Sequence, residues 1–179
     1  MEDSHPAGDK SILDLLKVDY EEILAIKDVY IPITGWERTG LAIKYRLPES
    51  GAELDRIARK VFQEVPKKDQ FKRGLFIAMD TMIRLQEDNG LFVKPPGVDD
   101  YVQLDPSEQG RALELADAEE LSVIFGWKDN EVTTARQALK KLFGNNDIAI
   151  VTHAEKLQHW LVDTKADITT ELWGLGELA

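Results

Sequence analysis

The chain predicts an α+β fold, mostly helical, with an N-terminal β-hairpin region packed on helices and an all-helical C-terminal part. Alternation comes first: Val29, Ile31 and Ile33 precede G-W-E-R-T-G (Gly35 to Gly40), and Leu41, Ile43, Tyr45 and Leu47 follow it, the period-2 pattern of two half-buried strands joined by a loop. From Pro48 the apolar spacing changes to three and four, as in Leu54, Ile57, Ala58, Val61 and Phe62, which fits one buried helix face. In the last third, helix starts and stops follow one another closely. The 179 residues suit one domain. Residues 1–10 read as a polar, disordered N-terminus, 11–164 as a single α+β domain and 165–179 as an apolar C-terminal tail.

Taken in order, Ser11 followed by Ile12, Leu13, Leu15, Leu16 and Val18 begins a short helix. In the first strand Pro32 has no N–H for a ladder, which places that part at a sheet edge. The helix after Pro48 closes at Pro66. A second helix is expected from about Lys68 to Asp88, with Phe71, Leu75, Ala78, Met79, Met82 and Leu85 inward and Asn89-Gly90 as its stop. Met79 and Met82 read as core filling. Leu91–Val93 and Tyr101–Leu104 flank K-P-P-G-V-D-D and predict a second, small hairpin with an exposed loop. Ser107 to Ala116 is expected as a helix, and Asp117 with Glu120 gives a capping-box-like start for Leu121, Ile124 and Phe125. Asp129 is the expected cap of a further helix carrying Val132, Ala135, Leu139 and Leu142.

The stretch F-G-N-N-D-I-A-I-V-T-H-A-E-K-L-Q-H-W-L-V-D-T, Phe143 to Thr164, states a helix end, a turn and a new helix. Gly144 suits a left-handed C-terminal cap, and Asp147 is placed to accept the free N–H groups of the following helix. Ile150, Ala154, Leu157 and Leu161 then share one face. Trp160 is offset from that stripe, as either a boundary residue or a contact site. Trp36 is expected to fold back over the sheet and Trp127 to pack between helices. Beyond residue 164, Ile168, Leu172, Trp173, Leu175 and Leu178 are interrupted by Gly174 and Gly176, an apolar tail too short to build its own core. Trp160, Leu172, Trp173 and Leu175 are the candidate partner-binding residues.

Composition excludes several chemistries. With no cysteine, disulfides, zinc-thiolate sites and thiol nucleophiles are absent, and a reducing compartment is the natural home. The first ten residues lack the cationic and apolar regions of a secretory signal, and no apolar run is long enough for a bilayer. A net charge of −11 disfavours nucleic acid as a partner. The charge is uneven: Arg56, Arg59, Lys60, Lys67, Lys68, Lys72 and Arg73 against Glu64 and Asp69 give residues 56–73 a balance of +5, so the rest carries −16. This segment is either a pair of solvated helix faces or a basic patch for an acidic surface on a second copy or a partner. No phosphate loop, dinucleotide fingerprint, zinc-protease helix or calcium loop occurs. Asp99, Asp100 and Asp105 lack the ligand spacing for calcium. His153 and His159 are turned about 240° apart on a helix, so they cannot share a metal. His153 is expected at a helix surface or core edge. No cofactor, metal or catalytic residue is expected.

The order Gly144, Asn146, Asp147, His153, Leu157, Trp160 resembles the C-terminal segment of the tail assembly chaperones of long-tailed bacteriophages. I-P-I-T-G-W-E-R-T-G-L-A-I-K-Y-R-L, Ile31 to Leu47, is similar to the opening β-hairpin of such chaperones from phages of actinobacteria. The two stretches cover about a fifth of the chain. The resemblance implies a non-enzymatic factor of the host cytoplasm that binds the long, largely helical tape measure protein, keeps it soluble and recruits tail tube protein. The alternative is a structural subunit of the tail or head-tail connector. Self-association fits both.

Overall fold

A computed structural model describes residues 11–25, 28–105, 113–128 and 131–164. Strands β1 (Asp28–Pro32), β2 (Ala42–Arg46), β3 (Gln86–Val93) and β4 (Val102–Gln103) form an antiparallel sheet in the order β1-β2-β3-β4. The hairpin alternates as predicted, with Ile31, Ile43 and Tyr45 turned into the core, and β1 lies at the edge that Pro32 demands. Its loop is held by Gly40 at φ +63, where a Cβ would sit 2.6 Å from the Lys94 carbonyl oxygen, so only glycine lets the two backbones cross. β3 and β4 make the second hairpin, and the K-P-P-G loop between them is largely exposed.

Helices α1 (Ile12–Ala25), α2 (Gly51–Glu64) and α3 (Gln70–Arg84) precede β3; α4 (Ala118–Phe125), α5 (Ala135–Leu142) and α6 (Asp147–Asp163) follow β4. The α+β class therefore holds, with helices on the inner face of the sheet. α3 and α6 pack against each other, and α6 reaches β1. Leu75, Ala78, Met79 and Met82 of α3 and Ile150, Ala154, Leu157 and Leu161 of α6 meet Ile31, Ile43, Tyr45 and Leu91 of the sheet in one core. Both methionines are core filling, as expected. A smaller cluster of Ala58, Val61, Val65 and Ile77 joins α2 to α3.

Several boundaries differ from the sequence pattern. α3 stops at Arg84 instead of Asp88, because Gln86 already pairs with Tyr45. Asn89-Gly90 does not stop a helix; it falls in β3, within the irregularity between the partners of Ile43 and Tyr45, with Gly90 at φ +35. Of the helix expected over Ser107 to Ala116, residues 106–112 lie outside the described ones, and 113–116 are not helical. Leu113 instead exchanges backbone hydrogen bonds with Leu91 and Leu104, and the Leu115 N–H donates to Gln86 Oε1, so strand contacts override local propensity. Asp117 is at the N-cap position, yet its carboxylate accepts from the Glu114 N–H and makes no capping bond. α5 begins only at Ala135, behind a reciprocal capping box of Thr134 and Gln137; Val132 is buried ahead of it, and Asp129 lies outside the described residues. α6 is capped by Asn146, whose Oδ1 accepts from the Ala149 N–H, while Asp147 is its first residue. Gly144 is left-handed at φ +64, as predicted.

The buried stripes of α2 and α3 are shorter than their periodicity implies. Phe62, in the last turn of α2, and Phe71, in the first turn of α3, are exposed, since none of the described elements covers these ends. Ile124 of α4 is likewise exposed beside buried Leu121. α1 is a formed helix whose first turn is capped by Ser11 Oγ accepting from the Asp14 N–H. Its described apolar side chains do not join the core. Among the described residues no helix is long and apolar enough to cross a membrane.

Candidate functional site

α2, α3 and α5 enclose an open cleft of about 710 Å³. Ile57, Ile83 and Ala135 supply its apolar lining, while Lys60, Glu64, Asp80, Arg84 and Arg136 supply charge of both signs. Arg136 organises it. Its Nε and Nη2 donate to the two oxygens of Asp80 on α3, each at 2.6 Å, and its Nη1 and Nη2 to Glu64 on α2 at 2.7 and 2.9 Å. The guanidinium also lies 4.2 Å from the ring centroid of Phe76. Four of the five N–H groups an arginine owns are thus committed. Hydrogen bonds from Arg136 hold the Glu64 carboxyl below its usual range, and Asp80, then Glu64, raise Arg136 above its own. A guanidinium so occupied serves as a strut between three helices, not as a receptor for a phosphate.

A second ion cluster fixes the start of α2. Buried Glu53 accepts from Arg46 of β2, from Arg84 Nε of α3 at 2.8 Å and from the Glu49 N–H at 2.9 Å. The Arg46 hydrogen bond outweighs burial and holds the Glu53 carboxyl at about 2. α2 is therefore tied by salt bridges near both ends, and the cleft lies between two fixed points.

A third polar contact lies in the interior, between two side chains. Tyr45 Oη and His153 Nε2 are 2.8 Å apart and buried. Burial, then the charge of Lys156, pushes His153 down to about 4, against a hydrogen bond to the Pro32 backbone, while burial raises Tyr45 well above its ordinary value. The ring is neutral and the hydroxyl keeps its proton, so the Tyr45 O–H donates to Nε2. His153 is a core residue, deeper than the helix surface or core edge that its sequence position suggests. Without a route to solvent, this pair fastens α6 to the hairpin and has no reacting atom to offer.

Of the predicted contact residues, Trp160 is half-buried against the main core on the flank of the α6 stripe. Leu172, Trp173 and Leu175 lie outside the described residues. Trp36 folds back as expected, but onto helices: its indole N–H donates to the Leu142 carbonyl at 2.7 Å and its ring meets Phe125 edge-on. Trp127 stacks on Phe125 and packs against the core. Among the described residues no group of three His, Cys, Asp or Glu is placed to hold a metal ion.

Compared with protein families, with characterised proteins and with solved structures, the chain matches none. The cleft escaped sequence reasoning because Glu64, Asp80 and Arg136 are separated by 56 and 72 residues from arginine to carboxylate, and no local period relates them. Of its apolar lining, the sequence pattern placed Ile57 on the buried face of α2 and Ala135 on a later helix, and gave no sign of Ile83 or of the three as neighbours.

Proposed function

We propose that the chain is a non-enzymatic chaperone of phage tail assembly, which holds an amphipathic helix of the tape measure protein in the cleft between α2, α3 and α5 and assists recruitment of tail tube protein in the host cytoplasm. The observation that carries this reading is the cleft itself: an apolar lining of Ile57, Ile83 and Ala135 beside the mutually paired charges of Glu64, Asp80 and Arg136. Such a groove suits the apolar face of a helix, with the rim setting its direction. The resemblance of Ile31–Leu47 and of Gly144 to Trp160 to tail assembly chaperones supplies the identity of the client.

Co-expression tests it. The tape measure protein should become soluble with this chain and remain insoluble with the variant Ile57→Asp, Ile83→Asp. A client equally insoluble with and without the unaltered chain would end this reading. The structural-subunit alternative draws on the exposed apolar residues of α1, which would suit a permanent ring contact. Mass spectrometry of purified virions separates the two, since a subunit stays in the particle and a chaperone does not.

A further inference from the structure

Two surfaces on this fold are uncovered, and they match. On α1, Ile12, Leu13, Leu16 and Tyr20 are 71, 66, 56 and 61% exposed. Their spacing keeps them on one stripe of the helix. The same helix carries Asp14, Asp19, Glu21 and Glu22 against Lys17, a balance of −3. Around the turn that joins α2 to α3, Phe62 and Phe71 are 45 and 54% exposed, in the segment of balance +5. Arg73 is spent on that turn, donating to the Val65 and Phe62 carbonyls at 2.9 and 3.2 Å and lying 4.8 Å from the Phe62 ring centroid. Lys67 and Lys68 remain exposed on the turn itself.

We infer that α1 of one copy docks on the basic, phenylalanine-bearing surface around the α2–α3 turn of a second copy. Apolar stripe meets phenylalanine rings, and acidic helix meets lysine-rich turn, so both burial and charge favour the same pairing. Within one molecule both surfaces are exposed at once, so the chain does not satisfy its own pair; a second copy does. The contact is head to tail. Each added copy presents a new α1 and a new turn, and the series closes into a ring or runs on as a filament according to its rotation. This inference stands apart from the chaperone reading and does not depend on it.

Sedimentation velocity of the full chain across a dilution series tests it. The unaltered chain should self-associate at low salt and do so at least about tenfold more weakly near 1 M salt, where charges are screened beyond about 3 Å. Leu13→Asp with Leu16→Asp should make it monomeric, as should Lys67→Glu with Lys68→Glu and Phe71→Ser. An equimolar mixture of the two variants should form a dimer and stop there, because one intact α1 and one intact turn remain. Should the aspartates unfold α1, Glu21→Lys with Glu22→Lys tests the helix with its stripe intact, and weaker association is again expected. An unaltered chain that stays monomeric at every salt, an α1 variant that associates normally, or a mixture that stays monomeric would overturn the inference. So would loss of association on deleting residues 165–179 alone, which would make the tail the occupant.

Discussion

His153, buried beside Tyr45, shows how one desolvated side chain shapes the acid stability of the chain. Above about pH 6.5 histidine is neutral folded or unfolded, and its burial costs nothing in protonation. As pH falls from about 6.5 towards 4, the unfolded chain takes up a proton that the folded ring, held at about 4, refuses, so stability declines by up to about 3 kcal/mol. Glu53 acts in a lower window: its contribution is complete above the ordinary carboxylate range and is lost as pH approaches about 2. Urea titrations at a series of pH values should show the first decline between pH 6.5 and 4, and His153→Gln should flatten it. Tyr45→Phe, which leaves Nε2 buried without its donor, should cost about 1–3 kcal/mol at pH 7. A slope unchanged by His153→Gln would show that other groups govern the acid limb.

At the level of elements, the existence and buried stripe of α6 were legible, although its cap is Asn146 and not the expected Asp147, and β3 was not legible. Gly144 and the Ile150, Ala154, Leu157, Leu161 stripe are local signals, and each names its structure through backbone geometry or period. The turn from α3 into β3 is decided by Gln86 pairing with Tyr45, forty-odd residues away, against a run of residues that are all acceptable in a helix. Leu113 and Leu115 went the same way, since their partners Leu91, Leu104 and Gln86 belong to other segments. Phe62 and Phe71 were assigned inward because period reports the phase of a face and not the length of the surface opposite. The strut at Arg136 was equally hidden, and its energetic role is testable. Arg136→Met should lower stability by about 1–2 kcal/mol, a modest figure because Glu64 is solvent-accessible, and should loosen α5 from α2 and α3 in hydrogen exchange. No change in exchange at α5 would mean that packing alone holds the three helices.

For the whole molecule, the core runs from Ile31 to Leu161, joining the first hairpin to the last described helix and leaving α1 outside it. Residues 165–179, which the sequence marks as an apolar tail, carry Leu172, Trp173 and Leu175, more apolar surface than solvent contact favours and suited to docking on a partner. Deleting residues 165–179 should therefore move the melting temperature by less than about 2 °C while reducing capture of the tape measure protein in pull-down. A large drop in melting temperature would make the tail part of the folded core.

The bond from Tyr45 to His153 spans 108 residues, and that from Trp36 to Leu142 spans 106. At about 5–20 residues per second, a ribosome takes roughly 5–20 s to pass from one partner of such a pair to the other. During that interval Leu41, Ile43 and Tyr45 have left the tunnel ahead of the helix that will cover them. Each newborn copy thus passes through a stage in which its hairpin waits for α6, and a chain cut short before Asp147 lacks the Ile150, Ala154, Leu157 and Leu161 stripe that helps to cover it.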